Sequence, residues 1–166
     1  MRDWRICPRC AAGLRHGPVA GEDAPRLHCP ACRLVLYENP APTVSAVVER
    51  DGRVLLTRRG IEPRLGMWDT PGGFIEAGEE PAEALRRELL EEIGIEDFEI
   101  GPLLWESSRH FAEPGYGGQT NRYYLVRTEA FEARIVSEAN DAQWFALADL
   151  PAFHDREALL SSASDW

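Results

Sequence analysis

The sequence predicts an α/β domain preceded by a small metal-stapled module, and three observations lead there. Residues 71–95 pass from a Pro-Gly-Gly turn through an acidic loop into a segment of helical period. Around it lie short β-rich runs bounded by Gly, Pro and Asp turn signals. All four cysteines stand in two C-x2-C pairs near the N-terminus.

A chain of 166 residues holds one domain of ordinary size, or one plus a small module. A hydrophobic fraction of 44% and a charged fraction of 28% are those of a globular protein. The formal charge of −10 argues against a general nucleic-acid binder, which needs clustered Lys and Arg. A small phosphorylated ligand stays compatible, because cations bridge carboxylate to phosphate. No run approaches 18 apolar residues, and the start, MRDWRICPRC, lacks an apolar signal core. The expected setting is cytoplasmic, with no membrane partner.

Cys7 and Cys10 are followed, with 18 residues between, by Cys29 and Cys32. This is the spacing of a zinc site, in which two turns each supply two thiolates to a tetrahedral shell. Two disulfides are disfavoured in a reducing compartment, and a redox function would need one pair only. His28 stands beside Cys29, but four cysteines already close the shell. The polar stretch between the pairs cannot make a core, so structural Zn2+ takes that place. Residues 1–36 are therefore expected to form a zinc ribbon. Residues 37–42, with Pro40 and Pro42, read as a proline-stiffened linker to a domain over 43–160, and 161–166 as a tail.

Within the larger domain, Thr43 to Glu49 and Arg53 to Arg58 read as strands joined by an Arg50-Asp51-Gly52 hairpin turn. Trp68 is expected in the core. The helix rests on Ala82, Leu85, Leu89 and Ile93, one apolar stripe, with Pro81 in the first turn and Gly94 beyond the end. Glu88, Glu91 and Glu92 fall within one sector of roughly 100° beside that stripe. Like charges so placed cost a helix about 0.2–0.5 kcal/mol each, which a bound dication would reverse. After the helix, Phe98 to Ser108 and Asn121 to Thr128 read as strands, with a Gly- and Pro-rich loop over 109–119 between them. A last strand is expected near Gln143 to Phe145, and a helix from Ala148 to Leu160 with Pro151 in its first turn.

The stretch PGGFIEAGEEPAEALRRELLEEIGI carries the pattern G-x5-E-x7-R-E-U-x-E-E-x-G-U, where U is aliphatic, at Gly73, Glu79, Arg87, Glu88, Leu89, Glu91, Glu92, Gly94 and Ile95. In this it resembles the Nudix hydrolases. The resemblance implies an α/β/α sandwich with a mixed sheet, and a helix that holds Mg2+ or Mn2+ against a substrate pyrophosphate. The ribbon, the N-P-x-P linker and this box together resemble the NADH pyrophosphatases and their bacterial relatives. The longer N-terminal region and downstream SQPWPFP motif of the former are not present in this sequence.

Carried over residue by residue, the resemblance makes Glu88 and Glu92 the principal metal ligands, with Glu91 reaching a second ion and the Gly72 carbonyl completing a shell. Arg87 is expected to orient Glu79 or Glu91 by an ion pair. Glu138, six residues before Trp144, is the candidate general base and a further metal ligand, with Glu113 and Glu132 as competitors and a box glutamate as the alternative base. Arg58 and Arg59, at a strand end, are candidates to face substrate phosphates. Arg109, His110 and Tyr116, in the 109–119 loop, suit phosphate pairing and base stacking.

The reaction implied is hydrolysis of a nucleoside diphosphate linked to X, giving NMP and X-phosphate, with ADP-ribose or a dinucleotide as substrate. NAD(H), a nucleoside triphosphate, or a non-cleaving nucleotide sensor are the alternatives. A ribbon that reads nucleic acid through Arg2, Arg5, Arg9, Arg15, Arg26 and Arg33 is a further one, against which the net acidity argues. The sequence leaves a homodimer open.

Overall fold

The computed structural model describes residues 4–62, 64–110, 118–129, 134–136 and 139–166, without the side chains of His110 and Asp165. The chain divides into two compact units, Met1–Pro40 and Ala41–Trp166.

In the first unit β1 (Arg15–Gly17), β2 (Arg26–His28) and β3 (Val35–Leu36) form an antiparallel sheet in that order. The two cysteine turns are built alike. The N–H of Ala11 donates to the Cys7 carbonyl and that of Arg33 to the Cys29 carbonyl, each at 2.9 Å. In return, Cys7 N–H donates to Ala12 and Cys29 N–H to Leu34, each at 2.8 Å. Ala11 and Arg33 take left-handed φ of 58° and 60°, which turns the chain back after each second cysteine.

The second unit contains β4 (Ala41–Arg50), β5 (Arg53–Arg59), β6 (Trp68–Asp69), β7 (Gly72–Phe74), α1 (Pro81–Ile93), β8 (Glu99–His110), β9 (Gly118–Arg127), β10 (Ala139–Ala146) and α2 (Arg156–Ser162). Its main path runs β10-β5-β4-β9-β8, with β4 and β9 parallel and the other pairs antiparallel. Alternation along β4 decides the two faces. Val44, Ala46 and Val48 pack with Leu85, Leu89 and Ile93 of α1, whereas Val47 packs with Tyr123, Leu150, Phe153 and Leu159. A mixed sheet is thus covered on both faces, an α/β/α sandwich.

The sheet forks in the middle. β4 pairs β5 only over Val48–Arg50; its earlier residues Thr43–Ser45 pair β7, while Thr57 and Arg58 of β5 pair β6. The two strands start together because Asp51 and Gly52 both have positive φ, 50° and 74°, the backbone of a tight two-residue hairpin turn. They then part, and the short β6–β7 segment occupies the gap.

Four expectations are corrected. Ala82 is exposed and Ala84 buried instead, so the buried sector of α1 is centred nearer Glu88 and Glu92 than the predicted stripe. The helix expected from Ala148 starts only at Arg156. A 3-10 turn, Leu147–Asp149, precedes it, and Leu150 is extended (ψ 128°), as a residue before proline favours, so Pro151 lies outside the helix. Ser161 and Ser162 close α2 rather than belonging to a tail. The last strand also reaches well beyond Gln143–Phe145, pairing with β5 from Ala139 to Ala146.

Leu89 has no exposed surface and Ala82 is outside the core. Leu89→Ala should therefore cost about 3–5 kcal/mol in urea unfolding, against less than about 0.5 kcal/mol for Ala82→Ser. Equal effects would contradict this orientation of α1.

Candidate functional site

The site begins at the Gly72-Gly73 turn. A Cβ on Gly72 would stand 2.1 Å from the Val44 carbonyl oxygen, and one on Gly73 2.4 Å from the Glu88 carboxyl group. Gly72 also has φ 147°, open to glycine and strained for other residues. Only backbone fits between β4 and α1, and this brings the turn to the helix carboxylates: Gly72 N–H donates to Glu92 Oε2 at 3.0 Å.

The helix is fixed at both ends. Pro81 opens it, and Glu83 accepts a 2.9 Å hydrogen bond from Glu80 N–H. Gly94, with φ 65°, ends it in the left-handed conformation. Two further carbonyls at that end, those of Ile93 and Glu92, accept from the N–H groups of Arg134 and Val136 at 2.9 and 3.1 Å.

Arg87 ties the parts together. Its Nε and Nη2 donate to the two oxygens of Glu79 at 2.9 and 3.0 Å, Nη1 to Glu88 at 2.8 Å and to Glu91 at 3.4 Å, and Nη2 also to the Phe74 carbonyl at 2.9 Å. Glu79 in turn accepts from Glu76 N–H at 2.9 Å. One guanidinium thereby joins the turn, the loop and the helix. The Arg87 hydrogen bond holds the Glu79 carboxyl below the usual carboxylate range. Glu88 moves the other way: burial raises it, and the pull of Arg87 only partly offsets that. Glu88 has 14% of its side chain exposed against 57% for Glu91.

Glu88, Glu91 and Glu92 line one cavity of about 770 Å³. Its other walls come from the fork and from β9: Thr43 and Ser45, Thr57 and Arg59, Asp69 and Thr70, then Asn121 and Tyr123, with Arg64 and Arg109 at the margin. Carboxylates and arginines thus face the same space, a division suited to a ligand whose phosphates meet cations. Burial raises the Asp69 carboxyl despite the nearby Arg59, Arg109 and Arg64 charges. Burial likewise raises the Tyr123 phenol, which stacks on Trp105 at 4.2 Å.

Of the residues singled out from the sequence, Gly72, Glu88, Glu91, Glu92, Arg59 and Arg109 reach this cavity. Arg58 does not line it; its Nε donates to the Gly66 carbonyl at 2.9 Å. Neighbours on a strand point to opposite faces, so Arg58 and Arg59 cannot share one wall. Arg109 belongs to β8 rather than to a loop, and Trp68 packs edge-on against Phe145. Glu138, Tyr116, Glu113, Glu132, Arg2 and the side chain of His110 lie outside the described residues. Sequence reasoning missed Asp69, Asn121, Tyr123 and Asp155. The period-two series Gln119, Asn121, Tyr123 could have signalled a shared face of β9, whereas nothing local marks Asp155.

The four cysteines form the second grouping. Their sulfurs lie within 4.8 Å of one another, the only such set of potential metal ligands among the described residues. Cys7 and Cys29 are buried, and the Cys32 N–H beside Cys29 helps lower its thiol to about 6. Four cysteine sulfurs so gathered are a donor set that fits structural zinc. His28 stays outside the set, its Nδ1 3.2 Å from the Arg26 carbonyl.

Comparison with known proteins matches each of the two units to a family model. Residues 39–163 match the NUDIX domain model, and residues 5–38 match the model described as Nudix N-terminal, a zinc ribbon. The chain is 31% identical over 132 residues to an ADP-ribose pyrophosphatase of Methanocaldococcus jannaschii, covering 79% of this chain and 77% of that protein. It is also 31% identical over 158 residues to the NAD-capped RNA hydrolase NudC of Pseudomonas aeruginosa, covering 90% of this chain and 50% of the relative. A NUDIX hydrolase from Nitrosomonas europaea shares the fold at TM-score 0.74 and 23% identity, over 98% of this chain and 92% of its own.

The ribbon is expected to hold one zinc ion per chain. In the full chain, Cys29→Ser should abolish zinc by metal analysis and speed amide exchange across residues 4–36 while β4 and β5 stay protected. Retained zinc with unchanged exchange would contradict a structural role.

Proposed function

This chain belongs to the Nudix family and is a Nudix-type pyrophosphohydrolase, and we propose that it cleaves a nucleoside diphosphate linked to a second moiety, of the ADP-ribose or dinucleotide type, to NMP and X-phosphate. The observation that carries the reading is the convergence of Glu88, Glu91 and Glu92 on one cavity that Arg59, Arg64 and Arg109 also line.

Three carboxylates are a hard-oxygen donor set, matched to Mg2+ or Mn2+. When bound, such a cation neutralises pyrophosphate charge and makes water more acidic. Glu88 and Glu92 are its proposed principal ligands, with Glu91 and the Gly72 carbonyl beside them. Gly73 leaves the Glu88 carboxylate room, and Arg87 with Glu79 keeps it aimed. The attacking water adds to phosphorus, the bridging P–O bond breaks, and the proton passes to a base. Glu138 is proposed for that base, with a box glutamate as the alternative. Arg59 and Arg109 are proposed to meet the phosphate oxygens, and His110 and Tyr116 to read the remainder of the substrate.

The cavity reads pyrophosphate more directly than it reads X. Release of NMP should therefore be followed with Mg2+ and with Mn2+ across ADP-ribose, NADH, NAD, dinucleoside polyphosphates and nucleoside triphosphates. ADP-ribose or a dinucleotide should lead in kcat/KM, and Glu92→Gln should abolish turnover with the fold intact. Activity like wild type in that variant would refute the ligand assignment. A chain that binds these nucleotides and turns over none would be the sensor instead.

The raised Glu88 carboxyl gives a second expectation, with a definite sign. Because the carboxyl keeps its proton to a higher pH than usual, proton and cation compete there. Mn2+ affinity, read by electron paramagnetic resonance, should fall as pH drops through that raised range, by up to about tenfold per pH unit below it. Glu88→Gln should weaken binding and flatten the profile; an unchanged slope would exclude Glu88 as the competing group.

A further inference from the structure

The cavity wall is held from behind by a carboxylate that does not line it. Asp155 sits just before α2 with 7% of its surface exposed, between Phe153 and Leu159 of the second core cluster. Its backbone carbonyl accepts the Leu159 N–H at 2.9 Å, and its carboxylate accepts from two donors on the sheet. One is Arg109 Nη2 and the other the Tyr123 hydroxyl, each reaching a different oxygen. Arg109 Nη2 also approaches the Tyr123 hydroxyl, at 3.4 Å. Arg109 and Tyr123 both line the cavity.

The distribution of donors decides what this triad does. Both contacts of Arg109 use Nη2, and among the described residues its Nε and Nη1 have no hydrogen-bond partner. A structural ion pair across β8 and α2 would be satisfied by turning the whole fork toward Asp155 and away from the cavity. Here part of the guanidinium is clamped while two of its nitrogens remain able to donate. An arginine loses rotamer freedom when immobilised, and a side chain already held loses less on binding. Trp105, stacked on Tyr123, stiffens the clamp from the other side.

We infer that Asp155 is a positioning residue, which with Tyr123 pre-orients Arg109 to receive an anionic oxygen of the substrate in the cavity. This rests on the pyrophosphohydrolase reading for the nature of the anion. Asp155 touches no substrate; it acts through Arg109.

The test is kinetic and uses the full chain. Asp155→Asn should raise KM about tenfold for the best substrate of the panel and leave kcat within about twofold, since the contact it weakens is proposed to hold substrate in ground and transition state alike. Arg109→Ala should do at least as much, and the double variant no more than Arg109→Ala alone. Tyr123→Phe, which preserves the stacked ring, should raise KM by a smaller factor and serves if Asp155→Asn fails to fold. Unchanged KM in the folded variants, or additive effects in the double variant, would overturn the positioning role and leave the hydrolase reading standing. Calorimetric binding of ADP-ribose in EDTA reads the same contact without turnover. A wild type that cleaves nothing, yet binds ADP-ribose about tenfold better than Asp155→Asn, would overturn the hydrolytic reading alone and support the positioning.

Discussion

The second unit is built around a contact that admits no side chain. The Gly72-Gly73 turn runs between the backbone of β4 and the carboxyl group of Glu88, at distances that a single methyl group would violate. That approach lets β7 fill the fork between β4 and β5, and it brings Gly72 N–H onto Glu92. The cavity exists because the sheet opens there, and it is acidic because the same opening admits the helix carboxylates. Packing and chemistry therefore share one cause.

Electrostatics then has to keep three carboxylates, those of Glu79, Glu88 and Glu91, close together. Arg87 does this by spending its donors on Glu79, Glu88, Glu91 and a carbonyl, so that the loop and helix move as one. The consequence is a divided set of acidities: Glu79, bound to the cation, is held low, and Glu88, buried, is pushed high. A carboxylate that is costly to ionise is one that a dication relieves most. Elsewhere in the lining the arrangement is the opposite, with arginines in the wall and Asp155 bonded to one of them.

The ribbon solves a different problem. Among the described residues of the first unit only Cys7 and Cys29 are buried, and its two cysteine turns repeat the same hydrogen bonds around a sulfur cluster. Its sheet and the seven-stranded sheet share no strand.

What the sequence determined by itself was whatever depends on neighbours along the chain. The box helix follows from residues three and four apart, its ends from Pro81 and Gly94, the hairpin from Asp51-Gly52, and the cysteine turns from C-x2-C. The family too was legible, since the box is one unbroken stretch. Tertiary structure decided what depends on distant residues meeting. It turned α1 so that Ala84 rather than Ala82 is buried, put Arg59 and not Arg58 into the cavity, and delayed the last helix until after Pro151. It also brought Asp155 to Arg109 across 46 positions of chain. A periodic pattern marks which side of an element is apolar, but only the partner it packs against settles its rotation, and no local rule pairs two side chains from opposite ends of a domain.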